Sequence, residues 1–223
     1  PGPDRVVLET TRGQVLADVA VVCAGLHADR LARALGHQPS ARIVPFRGEY
    51  MELRPSAAHL VRGLVYPVPD PALPFLGVHL TKMIDGSVHA GPNAVFALSR
   101  EGYRWNDISV RDTWQSATYP GLIKLAGRNL GAGLNEIVRS LSKSLFAKSL
   151  ARLTPEITSS DIVRAGSGVR AQAILPNGAL ADDFILQPAQ RQLHVLNAPS
   201  PAATSALEIA KHIAAETGLG RVA

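Results

Sequence analysis

Two side chains could do chemistry because of where they sit. His79, in "GVHLTKMIDGSVHAGPN", occupies an apolar strand-like run two residues after Gly77. An imidazole in that setting is either packed into a core or, if it lines a cavity, the best general base in the chain. Arg170, in "AGSGVRAQAI", emerges from an uncharged stretch thinned by Gly166 and Gly168. A guanidinium so flanked suits a carboxylate, which its planar fork can bind through two hydrogen bonds. Three further stretches would shape a site. In "FRGEY", Gly48 inside a strand pattern marks a bulge or a flat ligand against the backbone, with Arg47 facing an acid or solvent. In "VVCAGLHAD", a strand ends on Ala24 and Gly25, small enough for a ligand to approach the backbone. In "LHVLNAPSPAATSALEIAKHIAAETG", an apolar strand runs almost directly into a helix, whose first amides suit an electron-rich oxygen. Plain strand-to-helix packing would give the last two patterns as well.

The elements that must position these residues fall into two textures. "RVVLETTRGQVLADVAVVCAG" reads as a hairpin turning at Thr11–Gly13, then an unalternated apolar strand from Val19 to Cys23. Such a run predicts burial on both faces, as in a helix-covered parallel sheet. The helix that follows places Ala28, Leu31, Ala32 and Leu35 on one face, with Gly36 as its C-terminal cap. From Ile43 the chain changes to short strands punctuated by Pro and Gly, with a hairpin turn at "IDG". A helical block comes next, "DTWQSATYPGLIKLAG", and then an amphipathic stretch with Leu134, Ile137, Val138, Leu141, Leu145 and Leu153, ended by Pro155. After "DIVRAGSGVRAQAI" the chain returns to hairpins, with "PNG" as a turn, and closes on a helix. The expected architecture is α/β with an α+β insert. Residues 1–42 and 162–223 form one domain around an antiparallel-sheet-plus-helix domain at 43–161.

Composition removes other classes. Hydrophobic residues at 46% and charged residues at 18% describe a folded chain with a substantial core. The net charge of +5 permits an anionic partner. The basic residues are scattered and aromatics are only 5%, which argues against a nucleic-acid platform. Cys23 is the single cysteine, so no internal disulfide framework exists. The seven histidines show no metal-ligand spacing, and no apolar run reaches the length of a membrane span.

Taken in order, "CAGLHADRLA", "VPFRGEYMEL", "GVHLTKMIDGSVHAGPNAVFALSREGY", "GSGVRAQAI" and "NAPSPAATSALEIA" resemble the D-amino-acid-oxidase-type FAD-dependent oxidoreductases. The nearest branch is that of L-2-hydroxyglutarate oxidase/dehydrogenase. The resemblance implies an FAD-binding Rossmann-like domain, here incomplete, with an inserted substrate domain. Such families open with a strand–GxGxxG–helix unit, and "GRNLGAGLNE" has neither its spacing nor a preceding strand. These residues therefore correspond to the family's C-terminal portion, expected to hold FAD weakly by itself. The resemblance assigns FAD contacts to Ala24, Gly25, Leu26, Arg47, Gly48, Gly168, Ser200, Pro201, Ala202, Ala203 and Thr204. In this reading Ser200 is the cap and Pro201 the first residue of a helix directed at the flavin. It assigns the substrate C1 carboxylate to Arg170, the base role to His79, and a second carboxylate to Arg47 or Lys82. The implied substrate is a small 2-hydroxy acid or dicarboxylate, and the implied location cytoplasmic. Oxygen or a quinone, the latter reached peripherally at the inner membrane, serves as electron acceptor. An amine oxidase of the same fold and a flavin-free binding remnant remain as alternatives.

Overall fold

The computed structural model describes residues 5–68, 77–198 and 202–217. In chain order the first elements are β1 (Val6–Thr10), β2 (Gly13–Ala17), β3 (Ala20–Val22), α1 (Ala28–Ala34) and β4 (Arg42–Leu53). There follow β5 (Leu64–Val65), β6 (His79–Lys82), β7 (Val88–Gly91) and β8 (Val95–Phe96). The helices α2 (Val110–Ala117), α3 (Pro120–Arg128), α4 (Leu130–Leu141) and α5 (Lys143–Leu150) come next. The chain continues with β9 (Ile162–Ile174), β10 (Ile185–Ala189), β11 (Gln192–Asn197) and α6 (Ala206–Glu216). Two compact units result, Pro1–Ile43 with Ala171–Ala223, and Val44–Arg170. The long strands β4 and β9 each pass from one unit to the other.

In the first unit β1 and β2 form an antiparallel hairpin, with Gly13 at φ +117° closing the turn. A second sheet has the order β10-β11-β3, its last pair parallel, with Gln192 opposite Ala20 and His194 opposite Val22. α1 contributes Ala28 and Ala32 to a core shared with Ala41, Ile43, Ala173 and Leu196. Gly36 takes φ +84°, the left-handed geometry expected just past a helix end. The buried face of α1 is Ala28, Asp29 and Ala32, whereas Leu31 and Leu35 are exposed. Asp29 is tolerated there because Arg33, one turn later, lies 3.7 Å from its carboxylate. β3 is not buried on both faces. It forms the edge of its sheet among the described residues, and Val21 is exposed. The apolar run predicted burial that an edge strand does not provide.

The second unit is a six-stranded sheet of order β5-β6-β7-β4-β8, with β9 also pairing with β4. Its core joins Met51, Leu53, Leu80, Val88 and Ala90 of the sheet to Phe146, Ala147 and Leu150 of α5. The expected single amphipathic stretch is broken at Ser142, whose hydroxyl accepts from the Leu145 amide and caps α5. This restart turns Phe146 and Leu150 inward and leaves Ile137, Val138, Leu141 and Leu145 exposed. The division between units falls after Arg170. Gly166, Gly168 and Arg170 therefore belong with the middle sheet, although the sequence reading grouped them with the outer segment.

Candidate functional site

The pleat of β4 builds the floor of a cavity. Phe46, Gly48 and Tyr50 point to one side of the strand and line a cavity of about 190 Å³. Alternate positions Arg47, Met51 and Leu53 point to the other side and are buried. Pro92, Asn93 and Ala94 add one wall, and Gly168, Val169 and Arg170 of β9 another. The two glycines make the depression. A Cβ on Gly48 would lie 2.7 Å from Pro92 Cβ, so the wall crosses β4 at a separation that only glycine permits. A Cβ on Gly168 would meet nothing within 4 Å.

His79 opens β6 directly opposite Gly91, the residue before the Pro92 wall. Its ring stacks on Tyr66 with centroids 4.2 Å apart, and Nδ1 lies 3.3 Å from the Gly77 carbonyl oxygen. A proton on Nδ1 satisfies that carbonyl and leaves the Nε2 lone pair free. Burial holds the His79 pKa below the usual histidine value; the Gly77 hydrogen bond opposes this, and the positive charge of Arg170 adds to the lowering. His79 is therefore neutral at neutral pH and within electrostatic reach of Arg170. Of the two residues the sequence singles out, Arg170 is among those lining the cavity, and His79 is linked to it through the charge of that guanidinium.

Other expected residues go elsewhere. Arg47 is 3% exposed, on the far side of β4 from the cavity. Its Nη1 donates to the Arg104 carbonyl at 2.8 Å, its Nε lies 3.4 Å from Glu49 Oε1, and the Trp105 ring covers the guanidinium at 4.3 Å. Lys82 donates instead to the Ala58 carbonyl at 3.2 Å. Three residues along a strand from His79, it faces the opposite side. In the first unit Ala24, Gly25 and Leu26 follow the carboxyl end of β3, with Gly25 at φ +49° in a short 3-10 turn. Ala202, Ala203 and Thr204 form turns after β11. Because β3 and β11 run parallel, the turn at Ala24–Leu26 and the chain leaving Asn197 depart from the same end of one sheet, where α/β proteins bind ligands. Ser200 and Pro201 lie outside the described residues. The described helix α6 begins at Ala206 with Ser205 before it, several residues later than the expected start at Pro201. Phe46, Tyr50 and Asn93 were missed. The alternation of Phe46, Gly48 and Tyr50 was a usable signal once Gly48 was taken to face a ligand.

The chain belongs to the FAD dependent oxidoreductase family, whose model matches residues 2–216. It is 48% identical over 209 residues to L-2-hydroxyglutarate dehydrogenase of Escherichia coli strain K12, covering 93% of this chain and 50% of that protein. It is 46% identical over 217 residues to the mitochondrial L-2-hydroxyglutarate dehydrogenase of Homo sapiens, covering 95% of this chain and 47% of the relative. The chain thus spans about half the length of the curated relatives it matches. A solved L-α-glycerophosphate oxidase from Mycoplasma pneumoniae, with FAD bound, superposes with a TM-score of 0.57 at 16% identity. That match covers 93% of this chain and 46% of the oxidase, and it establishes the shared fold.

Proposed function

We propose that this chain is the substrate-handling part of an FAD-dependent enzyme that oxidises an L-2-hydroxy acid, with L-2-hydroxyglutarate favoured, to the 2-oxo acid. The observation that carries the reading is the pairing of a neutral His79 with Arg170 beside a small cavity. The cavity lining carries the charge of Arg170 and, among the described residues, no carboxylate. That supports an anionic substrate over the ammonium group of an amine oxidase substrate. Identity of nearly half to named L-2-hydroxyglutarate dehydrogenases supports the particular acid.

Arg170 holds the C1 carboxylate and thereby orients C2. His79, with Nδ1–H on the Gly77 carbonyl, takes the C2 hydroxyl proton at Nε2. The nearby guanidinium lowers the cost of gathering negative charge on substrate oxygen. In the first unit the turn Ala24–Leu26 after β3 suits a phosphate-bearing cofactor, since small residues let it approach the backbone. In the second unit, taken by itself, the open space over Gly168 leaves room for a ligand beside Arg170. Bound FAD supplies the hydride acceptor. With FAD bound, the final electron acceptor would be oxygen or a membrane quinone. No helix among the described residues is long and apolar enough to cross a membrane. Exposed Val110, Trp114 and Ile123 beside Arg111 and Lys124 support a peripheral contact with an anionic membrane surface.

The test is stopped-flow flavin reduction by L-2-hydroxyglutarate and its D-enantiomer in the FAD-loaded enzyme. Arg170→Lys should chiefly raise KM, by about 2–4 kcal/mol of lost carboxylate binding. His79→Ala should slow reduction about 10²–10⁴-fold with FAD still bound. If both variants reduce flavin like the wild type, the assignment fails.

A further inference from the structure

Glu49 carries a largely buried carboxylate, 15% exposed, that the proposed chemistry does not use. Its backbone is locked to the cavity wall in both directions. The Glu49 amide donates to Asn93 Oδ1 at 2.8 Å, and the Asn93 amide donates to the Glu49 carbonyl at 3.3 Å. The first bond fixes the carboxamide orientation of Asn93, because only its oxygen can accept. Asn93 is 4% exposed, and among the described residues its Nδ2 donor has no hydrogen-bond partner. The Glu49 side chain is held from behind. Oε1 faces Arg47 Nε, and Oε2 accepts from the hydroxyl of Ser140, which is 1% exposed. One turn earlier on α4, Glu136 Oε2 accepts from the Ala94 amide at 3.4 Å. Glu136 and Ser140 stand four residues apart and so share one face of the helix.

We infer that Glu49, Ser140 and Glu136 are positioning residues for the ligand: α4 sets the Asn93–Ala94 wall of the cavity and thereby the affinity for a carboxylate-bearing substrate. None of the three need touch that substrate. They act through the two backbone bonds of Glu49 and the amide of Ala94. A buried donor such as Asn93 Nδ2 costs free energy until an acceptor meets it, and a ligand oxygen admitted at this wall would do so. The inference rests on the proposed function only for the choice of probe, L-2-hydroxyglutarate.

The experiment titrates L-2-hydroxyglutarate into the chain by calorimetry and follows amide exchange of Asn93 and Ala94 by NMR. Ser140→Ala and Glu136→Ala should weaken binding about threefold to tenfold, the range of one lost hydrogen bond. Glu136→Gln keeps an acceptor oxygen and should restore the affinity. Val138→Ser, on the exposed side of the same helix, should leave it unchanged. Alanine variants that lower the thermal midpoint yet bind like the wild type would overturn the inference, as would a glutamine variant no better than alanine. A wild type that does not bind L-2-hydroxyglutarate would instead count against the functional reading. Amide exchange then decides the positioning role. Faster exchange in the alanine variants, restored by glutamine, supports it, and unchanged exchange refutes it.

Discussion

Gly48→Ala and Gly168→Ala should fail in different ways, although both residues line one cavity. At Gly48 the new Cβ would lie 2.7 Å from Pro92 Cβ, 3.2 Å from the Asn93 carbonyl oxygen and 3.4 Å from Pro92 Cγ. Carbon pairs are most favourable at roughly 3.5–4.0 Å, so the closest contact is about 1 Å too short. A proline ring carbon and a backbone oxygen cannot swing aside as a flexible side-chain end would. Either β4 or the wall must move, at about 1–3 kcal/mol. For a chain of this length that corresponds to a fall of about 2–12 °C in the melting midpoint. At Gly168 the added methyl meets nothing within 4 Å. Alanine there should leave stability unchanged or raise it by up to about 1 kcal/mol, since glycine costs strand backbone entropy. The methyl nevertheless occupies space beside the cavity. A mismatch of one methyl in a fitted pocket weakens binding about tenfold or more. Thermal melts and calorimetric titration with L-2-hydroxyglutarate read the two effects separately. A Gly48→Ala protein that melts with the wild type, or a Gly168→Ala protein that is the less stable of the two, would refute the packing argument.

Two further outcomes follow from buried polar groups. His194 is 0% exposed, with both ring nitrogens unpartnered among the described residues and the His37 ring 4.9 Å away. Burial first, and His37 second, hold its pKa below the ordinary 6.5. The unfolded chain therefore binds more protons below about pH 6.5, and stability should drop as pH falls through that window, by up to about 1.4 kcal/mol per pH unit. His194→Leu should flatten the slope in urea melts between pH 5 and 8, and an identical slope would count against this. Arg47→Met should destabilise by about 3–5 kcal/mol in urea melts, because it strands the Glu49 carboxylate. Its effect on L-2-hydroxyglutarate affinity should follow the displacement of Asn93, not the loss of a direct anchor. An Arg47→Met protein of wild-type stability that had lost only its affinity would return Arg47 to the substrate.

The parts of the site that were legible in the sequence are those in which a residue contradicts its neighbours. His79 and Arg170 each stand among uncharged, mostly apolar or glycine neighbours, and Gly48 and Gly168 remove side chains where strands usually carry them. Local contrast of that kind survives folding. Asn93 offered no such contrast, because its partner Glu49 is 44 residues earlier. The same applies to Ser140, paired across 91 residues. Lys82 was misplaced for a reason open to correction from the sequence alone: in a strand, residues three apart face opposite sides. The helices misled differently. Periodicity identifies a helix's apolar face but does not say whether that face is covered. Ile137, Val138 and Leu141 keep the right spacing and remain exposed.

β4 shows why the two kinds of residue must coexist. Its pleat presents Phe46, Gly48 and Tyr50 to the cavity and Arg47, Glu49 and Met51 to the supporting side. A cavity floor without side chains at its centre cannot hold itself by packing. On the reverse side stands the Arg47–Glu49 pair, covered by Trp105 and tied to Ser140, which the proposed positioning role makes the source of that rigidity. A buried ion pair seldom adds net stability over an apolar pair, but it fixes geometry more narrowly because both partners need their hydrogen bonds. Replacing Arg47 and Glu49 together with leucine and methionine should therefore keep the fold within about 1–2 kcal/mol. The same change should loosen the Asn93 wall. Melts and Asn93 amide exchange on the double variant would separate the outcomes, and slow exchange at wild-type affinity would show that packing alone sets the site.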